Sequence, residues 1–122
     1  MYGILRNMEN NLVLDKSLDF ALRIVKLCHY LNEEKREFVL SKELLISGTN
    51  IGRHVKAAVG AENREVFISE FGIARRRALE TEYWLLVLFH GAIISEAEYR
   101  SIEDDRLQLV KIISSILTSS KR

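Results

Sequence analysis

The sequence predicts an all-α fold, an antiparallel up-down-up-down four-helix bundle in a single domain, residues 1–122. Three observations lead to this prediction. The chain contains no proline, the residue that interrupts helix interiors. It contains only six glycines, too few for the turns of a β protein. Its apolar residues recur at mixed steps of three and four, the spacing of amphipathic helices, and the connections between the segments are short.

The first two helices are predicted over about residues 11–32 and 37–60. The polar run "NEEKRE" lies between them. The apolar positions expected to face the core are Leu14, Leu18, Ala21, Val25 and Cys28 in the first helix, widened by Ile24, Leu27 and Leu31, and Leu40, Leu44, Ile51, Val55, Ala58 and Val59 in the second.

The last two helices are predicted over about residues 64–91 and 95–119. Asn63 is a suitable N-cap for the third helix. Ser95 with Glu98 three residues later forms a capping box for the fourth. The third helix repeats apolar positions every 3.5 residues on average, which is typical of packed, supercoiled helices. The expected core positions are Phe67, Phe71, Ala74, Ala78, Thr81, Leu85 and Leu88, and Ile102, Leu109, Ile113 and Ile116.

The stretch "SGTNIG" places Gly48 and Gly52 four residues apart inside the second helix. It lacks the lysine and the preceding strand of a phosphate-binding loop. Each glycine costs about 1 kcal/mol relative to alanine in a helix interior. We therefore interpret Gly48 and Gly52 as helix-packing positions that admit a neighbouring helix, with a ligand-facing kink as the alternative.

No catalytic constellation is apparent. The single cysteine, Cys28, excludes an intrachain disulfide and a cysteine-rich metal site. His29, His54 and His90 lie in three different segments without metal-ligand spacing. We expect a protein that is not an enzyme, with no catalytic residue, metal or cofactor. The sequence shows no membrane span and no signal-peptide pattern, so a soluble, cytoplasmic protein is expected.

Charge is distributed in blocks although the net charge is only +1. Residues 35–77 carry nine basic and five acidic groups, and residues 78–105 carry one basic and seven acidic groups. Residues 106–122 carry four basic groups and no acidic group. The blocks could steer a partner, or they could pair with one another across helices or subunits.

Basic residues of the second and third helices are the candidate binding residues. If they share one surface, they could neutralise the phosphates of RNA or DNA. The alternative is ion pairing, for example of Arg76 or Arg77 with Glu80, or between subunits. The candidates are Arg53, Lys56, Arg64, Arg75, Arg76 and Arg77.

The third helix also predicts homo-oligomerisation. From Tyr83 to Phe89 the chain is apolar on every side, and a helix of this kind is covered on every side. A four-helix monomer leaves the outer face of each helix open. Tyr83, Trp84 and Val87 are therefore candidate interface residues.

The stretches "EFVLSK", "SGTNIG" and "ALETEYWL" resemble the bacterial 23S rRNA-intervening-sequence (S23) family over roughly residues 10–118. The family is named for a gene location, not for an activity. The chain is also similar to accessory proteins of diversity-generating retroelements, pentameric barrels that bind nucleic acid and a reverse transcriptase. The resemblance implies a four-helix bundle, a homopentamer and no assigned enzyme activity. Its possible partners are further copies, RNA or DNA, and a protein such as a reverse transcriptase.

The chain departs from that family where relatives carry a small residue, an Asn and a Glu. Here these positions are Arg53, His54 and Ala57. The near-neutral charge also differs from the strongly basic retroelement proteins. Nucleic-acid binding through the basic residues is therefore one hypothesis, and a protein-interaction scaffold without nucleic-acid binding is the alternative. A ligand-binding or catalytic bundle would need a polar pocket, for which the sequence offers no convergent residues.

Overall fold

The chain forms four helices and no strand within residues 4–120, the part whose backbone the computed structural model describes; side chains are described from residue 10 onward. The helices are α1 (Ile4–Glu33), α2 (Leu40–Val59), α3 (Arg64–His90) and α4 (Glu96–Ser120). The all-α prediction is confirmed. All helix bounds lie within three residues of the predicted ones, except that α1 begins earlier than residue 11.

The helices follow one another around a four-membered ring. Each packs against its neighbour in sequence and α4 packs against α1, and within the described part no Cα atoms of α1 and α3, or of α2 and α4, lie within 8 Å of each other. Short connections make successive helices antiparallel. The face formed by α1 and α2 is therefore opposite the face formed by α3 and α4.

Both predicted N-terminal caps are confirmed. The Asn63 side chain accepts a hydrogen bond from the Val66 amide at 2.9 Å and so starts α3. The Glu98 amide donates to Ser95 Oγ at 3.1 Å, and the Ser95 amide donates to Glu98 Oε1 at 2.9 Å. This reciprocal pair is the capping box that starts α4.

The core follows the predicted stripe in α3, where all seven predicted positions are buried. In α1 the prediction was wrong for Leu18 and Val25, which are 57% and 46% exposed. The buried stripe of α1 instead includes Val13, Ser17, Phe20, Ile24, Leu27, Cys28 and Leu31. The sequence of α1 contains two apolar stripes that differ by one residue in phase. The buried stripe includes the polar residue Ser17, so the other stripe looked more continuous in the sequence.

Candidate interaction surfaces

Gly48 and Gly52 lie on the side of α2 that packs against α1. A Cβ atom on Gly48 would lie 2.9 Å from Ile24 Cγ1, closer than carbon atoms approach. A Cβ atom on Gly52 would lie 3.3 Å from Ser17 Oγ. Ser17 turns its hydroxyl to the Leu14 carbonyl at 2.8 Å and is fully buried. The two small residues Ser17 and Gly52 thus face each other where α1 and α2 approach.

Arg53 belongs to a polar chain that joins α2 to α3. Its Nε donates to Asn50 Oδ1 at 2.9 Å, and its Nη2 lies 3.2 Å from His54 Nε2. Since a guanidinium can only donate, His54 Nε2 is the acceptor and Nδ1 carries the proton. Nδ1 lies 2.8 Å from Glu70 Oε2. Arg53 remains exposed, but part of its hydrogen-bonding capacity serves the α2–α3 contact.

The three consecutive arginines of α3 point in three directions. Arg75 Nε donates to Ser114 Oγ of α4 at 3.3 Å. Arg77 pairs with Glu80 at 2.6 Å, the i,i+3 ion pair considered from the sequence. Arg76 lies between them, is exposed, and has no ion pair or hydrogen bond to any other described residue. Successive helix positions differ by about 100°, so the three side chains cannot share one surface.

The remaining two basic candidates are also separated. The Arg64 guanidinium donates to the Ser120 carbonyl at the end of α4. Lys56 is exposed on α2 and forms no ion pair with another described residue. The six candidates therefore divide between α2, the α3–α4 seam and the outer side of α3, instead of forming one basic surface in the single chain.

An arginine that sequence reasoning missed lies in the core between α3 and α4. Arg106 is 2% exposed. It donates to both carboxylate oxygens of Glu103 at 2.6 and 2.7 Å, to Glu82 at 2.9 Å and to the Ala78 carbonyl at 3.4 Å. Burial alone would lower the pKa of Arg106, but the hydrogen bonds and the attraction of Glu103 and Glu82 raise it. The sequence feature that could have identified Arg106 as buried is its spacing. Position 106 lies on the core-facing stripe of α4, four residues after Ile102 and three before Leu109.

Several carboxylates of the acidic block, residues 78–105, form ion pairs within the chain. Arg23 of α1 pairs with Asp105 at 2.7 Å, and Arg106 pairs with Glu82 and Glu103. Glu103 is largely buried, since its side chain is only 12% exposed. Asp104 is exposed. The charge blocks pair with one another through Arg106 with Glu82 and Glu103 and through Arg77 with Glu80, whereas Arg23 lies outside the blocks.

The stretch "EFVLSK" stabilises the corner between α1 and α2 through Glu37. Glu37 accepts hydrogen bonds from the amides of Val39, Leu40 and Ser41 at 3.1, 3.0 and 2.7 Å. Desolvation by itself would raise the pKa of Glu37, but these amides together lower it. Burial, and then the Glu37 charge, raise the pKa of the Cys28 thiol to about 11. Such a thiol is protonated at neutral pH and is a poor nucleophile.

Large apolar side chains are exposed on two opposite faces. On α1, Leu18, Leu22 and Val25 are about half exposed, and we call them the α1–α2 patch. On α3 and α4, Leu79, Tyr83 and Leu107 are exposed to 44%, 59% and 43%, and we call them the α3–α4 patch. Further exposed apolar side chains lie outside both patches, namely Leu12, Tyr30, Phe38, Val39, Ile46 and Val66.

The three candidate interface residues of α3 differ in exposure. Tyr83 is part of the α3–α4 patch. Trp84 and Val87 are half-buried. The Trp84 ring packs edge-on against Tyr83 with centroids 5.2 Å apart. Trp84 supports the exposed tyrosine ring from the side.

Neither a metal site nor a membrane span is formed by the described residues. No group of three or more His, Cys, Asp or Glu side chains there is arranged to hold a metal ion. In the same part of the chain, no helix combines the length and the apolar character needed to cross a bilayer.

Comparison with known proteins identifies one family. Residues 9–115 match the family described as 23S rRNA-intervening sequence protein. A protein of unknown function from the S23 ribosomal protein family of Bacteroides thetaiotaomicron, known from a 1.70 Å crystal structure, is 44% identical to this chain. The two structures superpose with a TM-score of 0.89, covering 90% of this chain and 98% of the other. No curated protein matches the chain in sequence.

Proposed function

This chain belongs to the 23S rRNA-intervening sequence protein family, and from its surfaces we propose that it is a non-enzymatic interaction scaffold that assembles into a closed ring of identical copies. The α1–α2 patch of one copy would pack against the α3–α4 patch of the next. The observation that supports this most directly is the position of two apolar patches on opposite faces of one bundle.

The helix contacts show on which flank of α1 the first patch lies. Ile24 faces Gly48 of α2, while Arg23, one residue before it, reaches Asp105 of α4. Val25, one residue after Ile24, is rotated by about 100° in the opposite sense. Val25 and its i−3 neighbour Leu22 therefore lie on the α2 side of α1, away from α4.

The second patch lies on the outer side of the α3–α4 seam by the same reasoning. Arg75 and Glu82 reach α4, through Ser114 and Arg106. Leu79 follows Arg75 by four residues and precedes Glu82 by three, so it shares their flank. On α4, Arg106 binds both Glu103 and the α3 residue Glu82, so Glu103 lies on the α3 side of α4. Leu107 lies four residues after Glu103 and therefore on the same side.

Both patches lie at the same height along the bundle. Thr81 of α3 donates to Ser47 Oγ of α2 at 3.1 Å, and the adjacent Gly48 faces Ile24 of α1. Leu22 and Val25 flank Ile24, and Leu79 and Tyr83 flank Thr81. Two copies can therefore meet side by side without sliding along the helix axis.

Contacts between two different patches are heterologous, and heterologous contacts produce rings when the rotation closes. Burying the exposed half of a leucine contributes about 1 kcal/mol. A single contact of about six such side chains is modest once the cost of association is subtracted. Ring closure gives every copy two contacts. We propose a ring of five copies, the number expected from the sequence resemblance described above.

Sedimentation velocity with light scattering tests this proposal. The unaltered chain should have the mass of several copies at micromolar concentration. Leu22→Glu and Tyr83→Glu should each reduce that mass, since a carboxylate would be buried in the interface. Val66→Glu places the same charge on an exposed apolar position outside both patches and should leave the mass unchanged. A monomeric unaltered chain would contradict the proposal.

Nucleic-acid binding by the assembled ring is the second candidate. It is favoured by Lys56 and Arg76, which are exposed in the single chain and form no ion pair with another described residue, although Arg76 borders the α3–α4 patch. A ring would repeat both cations in every copy. The double variant Lys56→Gln and Arg76→Gln should weaken binding of single-stranded RNA and lower its salt dependence. Lys26→Gln, an exposed lysine on α1, is the matched control. Fluorescence anisotropy over a salt series measures the affinity for RNA and its salt dependence. An equal loss of affinity in the Lys26→Gln control would contradict this candidate.

A further inference from the structure

A groove lies at the end of the bundle where the α1–α2 and α3–α4 connections meet. It encloses about 480 Å³. Arg36, Phe38 and Val39 line one side, and Ala92 and Ile93 line the other. The two patches proposed for ring assembly lie at mid-height on the lateral faces, so ring formation does not require this groove.

The floor of the groove is apolar and open to solvent. Phe38 is 53% exposed and Val39 is 73% exposed, although they are adjacent in the chain. Ile93 on the facing side is half-buried. Neighbouring apolar side chains that remain open at a concave site are characteristic of a binding surface.

The backbone around the groove is held in a defined shape. Arg36 and Ala92 both adopt left-handed conformations, with φ of 53° and 61°. Non-glycine residues adopt this conformation at a cost, and such residues cluster at binding sites. Glu37 fixes the α1–α2 side by accepting hydrogen bonds from three successive amides of the α2 N-terminus. A preformed shape reduces the entropy lost when a ligand binds.

Two basic side chains lie at the rim of the groove. Lys35 and Arg36 lie there, and neither forms an ion pair with another described residue. The Arg36 guanidinium stacks over the Phe38 ring, 5.3 Å from its centroid. The carboxylate of Glu37 also lines the groove, but it is bound to the α2 amides. Glu33 and Glu34 do not line it. The available charge therefore favours an anionic ligand.

We propose that this groove binds an extended peptide segment of a partner protein, in which a large apolar side chain lies next to carboxylates. The apolar side chain would cover Val39 and Ile93, and a carboxylate would pair with Arg36 or Lys35. Arginine binds carboxylates through two parallel hydrogen bonds, so the basic rim would select an acidic peptide. The apolar floor would contribute buried surface area to the affinity.

Fluorescence anisotropy with the full chain tests this proposal. The probes are labelled hexapeptides that each combine one large apolar side chain with two glutamates, and matched peptides with glutamine at both positions. The acidic peptides should bind, and the glutamine peptides should bind about tenfold more weakly, the usual effect of losing a charge-assisted hydrogen bond. The double variant Lys35→Gln and Arg36→Gln should produce a similar loss.

The double variant Phe38→Ser and Val39→Ser should weaken binding at least about tenfold, while Val66→Ser, an exposed valine elsewhere, should not change it. Circular dichroism establishes that each variant is folded. No binding by any acidic peptide at millimolar concentration, or equal binding of the glutamine peptides, would overturn the proposal. A lower assembly mass in the Phe38→Ser and Val39→Ser variant would assign the groove to a second copy instead, which would also overturn it.

Discussion

Glu37 stabilises the start of α2 from outside the helix. The residue at the N-cap itself is Val39, whose side chain cannot accept a hydrogen bond. The Glu37 carboxylate reaches forward to the amides of Val39, Leu40 and Ser41. The negative charge also lies at the positive end of the helix dipole. One side chain thus performs the roles of both cap and counter-charge.

Glu37→Gln should destabilise the protein by about 1 kcal/mol at pH 7, the usual cost of losing a cap. Because the folded-state pKa of Glu37 is lowered, its contribution is fully present above the unfolded pKa of about 4.3. It is lost as the pH falls through the folded value. Urea denaturation at a fixed protein concentration should therefore show the difference between the two proteins disappearing in acid.

Glu34→Gln is the control for that experiment, since Glu34 is an exposed carboxylate in the same connection. It should have little effect at any pH. A Glu37→Gln deficit that persists unchanged to pH 3 would show that the carboxylate charge is not responsible.

Single residues could be predicted from the sequence where the interaction is local. Asn63 and the pair Ser95 and Glu98 are examples, because a cap depends on residues three positions apart. Arg106 could not be assigned in this way. Its partner Glu82 is 24 residues away, and a charged residue in an apolar stripe looks like an interruption until the opposing carboxylate is seen.

The packing of α1 against α2 depends on small residues at the elements' closest approach. Alanine at Gly48 would gain helix propensity of about 1 kcal/mol but would place its Cβ against Ile24. Ile24 is fully buried and β-branched, so it cannot move aside easily. Overpacking of this kind costs about 1–3 kcal/mol.

Gly48→Ala should therefore lower the free energy of unfolding by about 1 kcal/mol. Gly72→Ala is the matched control, because a Cβ at Gly72 on α3 would meet no atom within 4 Å. That substitution should instead raise the free energy of unfolding by about 0.5–1 kcal/mol. Urea titrations of both variants at one protein concentration measure the difference. Stabilisation by both substitutions would show that α1 can move away from α2 without cost.

The elements themselves followed from periodicity, and α3 shows why. Its stripe of large and small apolar residues is continuous from Phe67 to Leu88, so one helical phase fits. In α1 two apolar stripes have helical spacing, and the stripe that contains Leu18 and Val25 is exposed. Periodicity measures amphipathicity, but it cannot tell a stripe that faces the core of one chain from a stripe that remains available to another.

At the scale of the whole molecule, that second stripe becomes the basis of the proposed ring. The sequence indicated excess apolar surface on α3, and Tyr83 is exposed. It did not indicate that Leu18, Leu22 and Val25 of α1 face outward, because the direction of α1 depends on its contacts with Gly48 and Asp105. The six candidate basic residues, by contrast, lie on different sides of the bundle once the helices are packed.

Mixing two assembly-defective variants tests the central claim most directly. A Leu22→Glu chain keeps an intact α3–α4 patch, and a Tyr83→Glu chain keeps an intact α1–α2 patch. In a head-to-tail ring each variant alone is a monomer, whereas an equimolar mixture can form one contact and no more. Since one contact alone is modest, sedimentation velocity over a concentration series should show monomers for each variant and a concentration-dependent heterodimer for the mixture. If the patches instead bound their own kind, each variant would dimerise through its intact patch and mixing would add no new species, which would contradict the ring.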